Sequence, residues 1–528
     1  MLPPIDPVRG DETLPPRTSV VIIGGGIIGT TTALFLARKG IPVVLCEKGQ
    51  IGAEQSGRNW GWTRVMGRDM AEIPLGLESL RWWRQMNALV GAETGFNQCG
   101  IFYLCETRKE LEEQEAWLAK AREYQVDSRV IAPADLGGLL PGLAKPFAGA
   151  LFTPSDGRAE PQKAAPAIAR AVQNLGGTVL TNCAVRGVET TAGRISGVVT
   201  ERGAIACDTV VLAGGAWSRL FTGNMAAHGV GAINLPLLKI LGSVFATAPL
   251  SGLPDASVGG GVFGFRKRAD GGYTIARRNA SISEITPDSF RLFTQYMPSF
   301  RTSWRELRLR LGQQFLTEWR TPRQWSLDAP SPFEAVRVLD PVPHGPILEE
   351  ARRALSAAFP GFAAMRETHR WGGLMDVTPD AVPVIDHIDS VPGFYIAAGF
   401  SGHGFGIGPG AGTMVADMIA GEPPAVDPTP SRCNRFKAPT THRLAILVGS
   451  LTKAATATPP DDVLSRSYST PVDALYASSD VPLKLPSTAL DSSDPTACVA
   501  LPVRPLTPRP NAALLSTSIS LARSKNCT

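Results

Sequence analysis

The sequence has few of the patterns that usually mark a metal site, a disulfide framework or a nucleophilic triad. Its 528 residues include eight cysteines without a C-x-x-C pair and six histidines without metal-ligand spacing. These patterns argue against a zinc ribbon, a redox-active disulfide reductase and a bound metal. We therefore expect reduced, buried thiols in a cytoplasmic protein. No G-x-S-x-G nucleophile elbow occurs, which argues against an α/β-hydrolase.

Concentrated charge and long apolar segments are also missing. The net charge is +5, and the 52 basic and 47 acidic residues are spread along the chain without a basic run. This distribution argues against a nucleic-acid partner. No apolar stretch approaches the roughly 18 residues of a membrane span, so we expect no transmembrane segment. The first 17 residues carry acids and prolines, unlike a signal peptide.

The most informative segment is a glycine-rich turn near the N-terminus, in "SVVIIGGGIIGTTTALFLARKGIPVVLCEKG". Residues 20–23 predict a strand buried on both faces. Gly24, Gly26 and Gly29 then give G-x-G-x-x-G spacing at the start of a helix predicted over 27–39. The first glycine permits the turn, the second lets a pyrophosphate approach the backbone, and the third lets the helix pack on the strand.

An acidic residue follows at the position where such a motif binds a ribose. Gly40 ends the predicted helix, residues 41–46 predict the second strand, and Glu47 comes next. A carboxylate there accepts hydrogen bonds from free ribose hydroxyls, so the pattern favours FAD or NAD over NADP. Strand, turn, helix, strand and acid in this order are far more specific than the glycines alone.

The remaining patterns predict an α/β protein in which a second lobe interrupts the dinucleotide-binding domain. We expect that domain to occupy residues 19–234 and 371–430, because buried-strand patterns return near the end of this range. Residues 235–370 differ in composition and predict a separate lobe that covers a pocket. Residues 437–528 are rich in Ser, Thr, Pro and Ala without periodicity, and they predict a disordered tail.

Together these blocks resemble the FAD-dependent oxidoreductases of the D-amino-acid oxidase, sarcosine oxidase and D-amino-acid dehydrogenase superfamily. The resemblance covers roughly residues 19–430 and rests on five motifs in the family's order: "VVIIGGGIIG", "EQSGRNWGWTR", "DTVVLAGGAWS", "WGGLMDVTPDAVPVID" and "GFYIAAGFSGHGFGIGPGAG". It implies a Rossmann-like FAD-binding domain and an α+β substrate-binding lobe with an antiparallel sheet over the substrate pocket. It also implies a substrate amine that loses a hydride to flavin N5 and an imine that water hydrolyses.

The resemblance also implies which residues contact the cofactor. The residues that match the family's cofactor-binding positions are Gly24, Gly26, Gly29, Glu47, Lys48, Ser56, Arg58, Asn59, Val185, Gly214, Trp217, Gly402, Gly404, Gly406 and Ile407. A third glycine-rich element favours FAD over NAD, because a helix that begins near its "GPGAGTM" stretch can stabilise the reduced flavin. We expect Pro409 in the first turn of that helix. No cysteine lies in this loop, so we expect non-covalent FAD.

Three residues are candidates for contact with the substrate. His403 resembles the family's flavin-side histidine, with an ordinary structural histidine as the alternative. Arg64 resembles an arginine that lines the substrate pocket of sarcosine oxidases, or it shapes the flavin environment. In "YTIARRN" the strand alternation separates Arg277 from Arg278. The matching family strand turns the Ile275 face toward the flavin, which predicts Arg277 as the ligand of a substrate carboxylate.

The expected reaction is oxidation of an amino acid or related amine, a D-amino acid in the first instance. Gly406 replaces a lysine that is common in sarcosine-oxidase-like members, and "GGYTIARRN" lacks the lysine that helps those enzymes to activate oxygen. We therefore expect electrons to pass to a quinone or a redox protein, in a cytoplasmic enzyme that can associate with the inner face of the membrane. An oxygen-using sarcosine or glycine oxidase and a non-catalytic FAD-binding subunit are the alternatives.

Overall fold

The computed structural model describes residues 2–303 and 307–437, so the predicted disordered tail lies outside the described residues except for its first position. A six-stranded sheet, here called the parallel sheet, is built around the strand that precedes the glycine turn. Its strands, in spatial order, are Val384–His387, Phe394–Ala398, Thr209–Leu212, Val20–Ile23, Val43–Cys46 and Thr178–Leu180. All neighbours pair in parallel except the first two. This arrangement confirms the predicted Rossmann-like α/β fold.

The two faces of the parallel sheet are covered by different layers. Val20 and Ile22 belong to a core shared with the helices on one face, and Val21 and Ile23 belong to a second core on the other. This alternation is what a strand buried on both faces requires. The helices of the first core are Ile27–Arg38, Ile73–Val90, Pro161–Asn174 and Gly404–Ala420. The second face carries the antiparallel strands Val185–Thr191, Arg194–Thr200 and Gly203–Ala206.

A larger sheet, here called the lobe sheet, forms a further hydrophobic core with the helix Gly345–Ala358. Its strands, in spatial order, are Leu307–Arg310, Ser281–Glu284, Leu238–Thr247, Tyr273–Arg277, Phe263–Lys267, Ser257–Gly259, Ile101–Cys105, Gly149–Thr153 and Arg129–Ile131, with Glu367–Val377 beside Leu238–Thr247. Most neighbours are antiparallel, as predicted, but two pairs are parallel: Ser257–Gly259 with Ile101–Cys105, and Ser281–Glu284 with Leu307–Arg310. Segments from three separate parts of the chain therefore build one sheet.

The other elements connect these layers. The remaining α-helices are Gln55–Arg58, Arg108–Ala121, Pro133–Leu139, Ser218–Ala227, Pro287–Arg291, Phe293–Ser303, Gln313–Arg320, Pro332–Ala335 and Gly345–Ala358. The short strands Trp62–Thr63 and Gly157–Arg158 pair with each other. The 3-10 helices are Met70–Glu72, Arg122–Tyr124, Gly215–Trp217, Pro360–Ala364, Thr429–Ser431 and Cys433–Lys437. Over residues 2–303 and 307–437, no helix is long and apolar enough to cross a bilayer.

The helix Gly404–Ala420 begins earlier than the sequence predicts, so Pro409 is its sixth residue and the prediction for the first turn is wrong. A proline inside a helix removes one backbone hydrogen bond. The helix Ile73–Val90 supplies polar partners at this point. The indole of Trp83 donates to the carbonyl of Gly406 at 2.8 Å, and the hydroxyl of Ser79 accepts from the amide of Gly410 at 2.9 Å.

A buried ion pair joins the two layers. Arg266, on the lobe sheet, donates from both terminal nitrogens to Glu160 at 2.8 and 2.9 Å. Glu160 directly precedes the helix Pro161–Asn174 and also accepts from the amide of Ala269 at 2.8 Å. The Nε of Arg266 donates to the carbonyl of Trp60. This pair therefore fixes the distance between the lobe sheet and the helix beneath it.

Candidate functional site

A cavity, here called the central cavity, opens at the carboxyl ends of three parallel strands. The residues that end or follow these strands and line it include Ile23, Gly24, Cys46, Glu47, Leu212 and Ala213. It extends from Glu47 and Val185 to Arg64 and His403. Ligands of open parallel sheets bind at this edge. The chain therefore places its binding site where the glycine turn predicts it.

The glycine turn has the geometry that a pyrophosphate requires. Gly24 has φ of +113°, and a side chain there would collide with the carbonyl of Ala213. A Cβ on Gly26 would lie 2.9 Å from the hydroxyl of Ser56, and one on Gly29 would lie 1.9 Å from the carbonyl of Gly24. Gly29 does not line the cavity; it lets the helix approach the strand, as predicted for the third glycine. The hydroxyl of Ser56 accepts a hydrogen bond from the amide of Ile27 at 2.8 Å, so Ser56 borders one side of the glycine turn.

Glu47 is held at the edge of the cavity by its own neighbours. Its carboxylate accepts from the amides of Gly25 at 2.7 Å and Gly49 at 2.8 Å. Burial raises the pKa of Glu47, and these two amides oppose that shift. A carboxylate has further acceptor positions beyond two hydrogen bonds. Glu47 is therefore fixed in orientation and can still accept from hydroxyl groups.

Several residues predicted to contact the cofactor form hydrogen bonds within the protein. Lys48 is bonded to Glu54 at 2.6 Å and to two backbone carbonyls. Trp217 donates to the same carboxylate at 3.1 Å. Arg58 is buried and donates to Asp340 at 2.6 Å and to two backbone carbonyls. These residues line the cavity, where they shape its wall.

The loop from Ser56 to Gly61 is closed by a side chain. Asn59 donates to the carbonyls of Gln55 at 3.1 Å and Ser56 at 2.8 Å, and its amide oxygen accepts from Gly61 at 2.7 Å. Asn59 and Val185 also border the cavity. The loop is therefore rigid through side-chain hydrogen bonds, which sequence spacing alone does not reveal.

The start of the helix Gly404–Ala420 forms another wall of the cavity. Gly402, Gly404 and Gly406 line it, together with Gly214 on the opposite side, whereas Ile407 is buried behind the wall. A Cβ on Gly406 would lie 2.9 Å from the carbonyl of Trp62. A lysine at this position would therefore require the neighbouring strand to move.

His403 stands at the N-terminus of this helix and is 7% exposed. Its Nδ1 lies 3.2 Å from the Oε2 of Glu72, which is itself buried. Arg68 lies 3.9 Å from the same oxygen. Burial and the charge of Arg68 lower the pKa of His403 to about 4, although Glu72 opposes that shift. The imidazole is therefore neutral at pH 7.

Positive charge is concentrated at the same end of the cavity. Arg64, Arg68 and Arg278 are each no more than 6% exposed. The guanidinium of Arg278 lies 3.7 Å from the ring centroid of Tyr103, and that of Arg64 lies 5.7 Å from it. In the described part of the chain, the Nε of Arg278 and one terminal nitrogen of Arg68 have no hydrogen-bond partner. Unused donors on buried cations indicate a site for an anion.

Asp156 is the second buried carboxyl group near these arginines, after Glu72. It accepts from the amides of Val65 at 2.7 Å and Met66 at 3.2 Å. Burial nevertheless raises the pKa of Asp156 to about 7. The two carboxyl groups therefore supply less than two full negative charges at neutral pH against three arginines.

This shift predicts a pH dependence of stability. The folded pKa of Asp156 lies above its ordinary value of 3.8, so the folded state retains a proton that the unfolded state releases. Its contribution to the free energy of unfolding should fall by on the order of a few kcal/mol as pH rises from about 4 to 7. Asp156→Asn does not titrate, so melting curves should show the wild type losing stability relative to this variant over that interval. A constant difference between pH 4 and 7 would contradict the prediction.

The two faces of the strand Tyr273–Arg277 pack against different partners. Ile275 lies in the core formed with the helix Gly345–Ala358, whereas Ala276 packs with Val244 and Trp371 on the other face. By alternation, Arg278 shares the face of Ala276. The predicted orientation of Arg277 toward the pocket stays a prediction: Arg277 lines the central cavity and Arg278 does not.

Arg277 and Arg278 consequently have different surroundings. Arg277 borders the cavity, but its Nε donates to Glu350 at 3.2 Å, and Glu350 also binds Arg308. Arg278 is buried behind Tyr103, and Tyr103 lines the cavity. The role predicted for Arg277 as the carboxylate ligand stays a prediction.

Several residues in and beside the cavity were not predicted from the sequence. These residues are Arg68, Glu72, Tyr103, Asp156 and Asp376. Asp376 lines the cavity and accepts from the amide of Gly399 at 2.6 Å; burial raises its pKa to about 6. Asp376 lies within the quoted motif "WGGLMDVTPDAVPVID", whereas the other four belong to none of the five motifs. For Arg68 and Glu72, the sequence does offer a signal. The two residues have opposite charges, lie four positions apart and follow a matched motif, and this spacing is typical of a shared helical face.

The residues that line the cavity fit FAD. The glycine turn and the amides at its helix start suit a pyrophosphate, and Glu47 suits a ribose. The wall at Gly402 and Gly404 leaves room for a flat ring against backbone. Over the described residues, no group of three or more His, Cys, Asp or Glu side chains could hold a metal ion.

Comparisons with known proteins agree with this site. The family model described as DAO, FAD dependent oxidoreductase, matches residues 19–418. A sarcosine oxidase subunit beta of Rhodobacter capsulatus is 24% identical over 415 residues, 76% of this chain and 85% of that protein. An L-amino acid deaminase structure from Proteus myxofaciens, in complex with anthranilate, has a TM-score of 0.78 at 34% identity and covers 82% of this chain and 97% of that chain. The L-amino acid deaminase of Proteus vulgaris has a TM-score of 0.77 at 31% identity, with 82% and 100% covered. The chain therefore belongs to the DAO family of FAD-dependent oxidoreductases.

Proposed function

We propose that this FAD-dependent oxidoreductase, which acts on CH–NH groups, oxidises an α-amino acid to the imino acid, which water then converts to the 2-oxo acid and ammonia. The observation that carries the proposal is the surplus of buried arginine beside the central cavity. Among the described residues, Arg68 and Arg278 each have a buried nitrogen without a hydrogen-bond partner, and the three arginines Arg64, Arg68 and Arg278 have too little carboxylate nearby to balance them. A substrate carboxylate supplies the missing charge, since a buried cation is stable only when it is paired.

In this proposal the protein orients the substrate and the cofactor carries the redox chemistry. The central cavity would hold FAD, and the cofactor would supply there the acceptor for a hydride from the carbon next to the substrate nitrogen. The arginines hold the carboxylate, and the walls formed by Trp60 and Trp62 exclude water from the reacting carbon. His403 is neutral, so it adds no further positive charge.

The handedness of the substrate is a separate proposal. The sequence predicts a D-amino acid, whereas the similar Proteus structures are those of L-amino acid deaminases. We favour the L-enantiomer, because these structures cover 82% of this chain at more than 30% identity. Anaerobic bleaching of the flavin by paired L- and D-amino acids tests this. Bleaching by D-amino acids alone would restore the original prediction, and no bleaching by either would favour a non-catalytic FAD-binding subunit.

Arg278, which lies directly behind the cavity-lining Tyr103, is our candidate for the carboxylate ligand, and Arg277, which itself lines the cavity, is the competing prediction. Arg278→Leu is expected to raise the KM for the amino acid by about 10- to 150-fold, from the loss of about 1.5–3 kcal/mol of charged hydrogen bonding. Arg277→Leu should change KM little, because Arg277 is already paired with Glu350. KM is measured for both variants with an amino acid and with the matching amine that lacks the carboxylate. FAD content serves as the folding control, and the reverse pattern would assign the role to Arg277.

Electron transfer to a quinone or a redox protein is also proposed. Lysine is scarce around the cavity: of the lining residues in the described part of the chain, Lys48 alone is a lysine, and it binds Glu54. Without a mobile ammonium near the flavin, oxygen gains little electrostatic help. Non-covalent FAD is expected throughout. Quinone reduction without hydrogen peroxide would support this acceptor, and stoichiometric peroxide would favour a sarcosine- or glycine-type oxidase.

A peripheral contact with the membrane is proposed on a different observation. Large apolar side chains are exposed between residues 290 and 319, including Phe290 at 68%, Leu311 at 72% and Trp319 at 69%. Arginines are interspersed in the same stretch. Apolar and basic side chains together suit an anionic lipid surface, which also holds quinones. Co-sedimentation with anionic vesicles, lost in Trp319→Ser, tests the contact; equal sedimentation with neutral vesicles would contradict it.

A further inference from the structure

Glu72 and His403 form a buried pair behind the end of the central cavity. Glu72 ends the short 3-10 helix Met70–Glu72 and is 2% exposed. Its Oε2 lies 3.2 Å from the Nδ1 of His403. Within residues 2–303 and 307–437, neither the buried Nδ1 of His403 nor the Oε1 of Glu72 has a well-aligned hydrogen-bond partner, so the 3.2 Å contact joins two groups whose polar capacity is otherwise unused. The two groups are therefore placed to satisfy each other.

The charges around the pair determine its protonation. Although burial opposes ionisation, His403 and Arg68 hold the pKa of Glu72 below its ordinary value. Burial and the arginines lower the pKa of His403 to about 4, so its imidazole carries a single proton at pH 7. An ionised carboxylate accepts a hydrogen bond but cannot donate one. The proton of the imidazole is therefore most stable on Nδ1, facing Glu72.

We propose that Glu72 is a positioning residue that fixes His403 as the Nδ1-protonated tautomer and leaves Nε2 as a hydrogen-bond acceptor toward the central cavity. His403 lines this cavity, and no protein partner for Nε2 occurs in the described part of the chain. A carboxylate that orients a histidine through one nitrogen fixes the role of the other.

The acceptor lies at the same end of the cavity as the arginine cluster. The arginines attract the carboxylate of an amino acid, and Nε2 of His403 accepts an N–H of its nitrogen. This part rests on the proposed function. Two different groups at one end of the cavity then distinguish the two polar ends of the substrate, which orients the carbon between them.

The tautomer is measured on the FAD-bound protein without substrate, by 15N NMR of protein labelled at histidine. The His403 signals are identified by their loss in His403→Gln. In the wild type, Nδ1 should be protonated and Nε2 bare. In Glu72→Leu, which has no acceptor, the proton should move to Nε2, and Glu72→Gln should show both tautomers. Glu78→Gln, which alters a carboxylate on the following helix that is paired with Arg81, should leave the signals unchanged. A protonated Nε2 in the wild type, or an unchanged pattern in both Glu72 variants, would overturn the proposal.

Flavin reduction supplies the second readout. With FAD content retained, Glu72→Leu should slow anaerobic reduction by an amino acid about 10- to 100-fold, the range typical of groups that orient a functional histidine. A changed tautomer with an unchanged rate would refute contact between Nε2 and the substrate. If no amino acid reduced even the wild type, the proposed function would fail, while the NMR result would still decide the role of Glu72.

Discussion

Glu160→Leu is expected to lower the free energy of unfolding by about 3–5 kcal/mol, the cost of leaving one member of a buried ion pair without its partner. Arg266 would lose both bonds to the carboxylate, at 2.8 and 2.9 Å, in surroundings where it is only 1% exposed. The amide of Ala269 would also lose its acceptor. Chemical denaturation monitored by fluorescence and by flavin absorbance would measure the loss.

Two further variants distinguish a lost pair from a lost side chain. Glu112→Leu removes a carboxylate from an exposed pair with Arg108 at 3.2 Å, and it should change stability by less than about 1 kcal/mol. The double variant Glu160→Leu with Arg266→Leu removes both charges and should recover much of the stability, since buried pairs are often replaceable by apolar residues. A double variant as unstable as the single one would show that the charge of Arg266 is not the cause.

Glu47→Arg is expected to weaken FAD binding by about 2–4 kcal/mol, or roughly 30- to 700-fold in Kd. The variant loses the acceptor for the ribose hydroxyls. It also leaves the amides of Gly25 and Gly49 without the partners they have at 2.7 and 2.8 Å, so the glycine turn loses its support. Fluorescence titration of the apoprotein with FAD would give Kd.

Glu189→Arg is the matched control, because it makes the same change of charge at an exposed site on the strand that begins at Val185. Its Kd for FAD should equal that of the wild type. If Glu47→Arg also bound FAD with unchanged Kd, the assignment of Glu47 to the ribose would be wrong.

Local motifs account for the part of the site that sequence predicts well. The strand Val20–Ile23, the helix Ile27–Arg38 and the glycines between them depend on neighbours within one βαβ unit. Their conformations follow from β-branching, missing Cβ atoms and a helix start, all of which can be read from consecutive residues.

Features that depend on distant segments could not be read in this way. The helix that contains Pro409 begins before the proline because Trp83 and Ser79, from a helix more than three hundred positions earlier, supply partners at the site of the break. Strand alternation separates Arg277 from Arg278 correctly. Which face of this strand packs on the helix Gly345–Ala358 is decided by contacts that lie far from both arginines in sequence.

The buried charged residues at the end of the cavity also depend on contacts with distant segments. Asp156 accepts from the amides of Val65 and Met66, 91 and 90 positions earlier, and Glu72 meets His403 across most of the chain. An isolated Asp or Glu in a sequence is normally a solvated surface residue. Only the three-dimensional structure identifies these two as buried.

The strand order of the parallel sheet has a consequence for biosynthesis. The strand Val20–Ile23 leaves the ribosome early, but one of its neighbours is Thr209–Leu212, and the next strand outward, Phe394–Ala398, is translated much later. The carbonyl of Ala213 lies against Gly24. A nascent chain that ends before Ala213 therefore has the glycine turn without the segment that packs against it. The wall that contains Gly402 is translated later still. Tight capture of the cofactor is therefore a late event in synthesis, and a ribosome-stalled series of lengths would acquire flavin only after Ala420 has emerged.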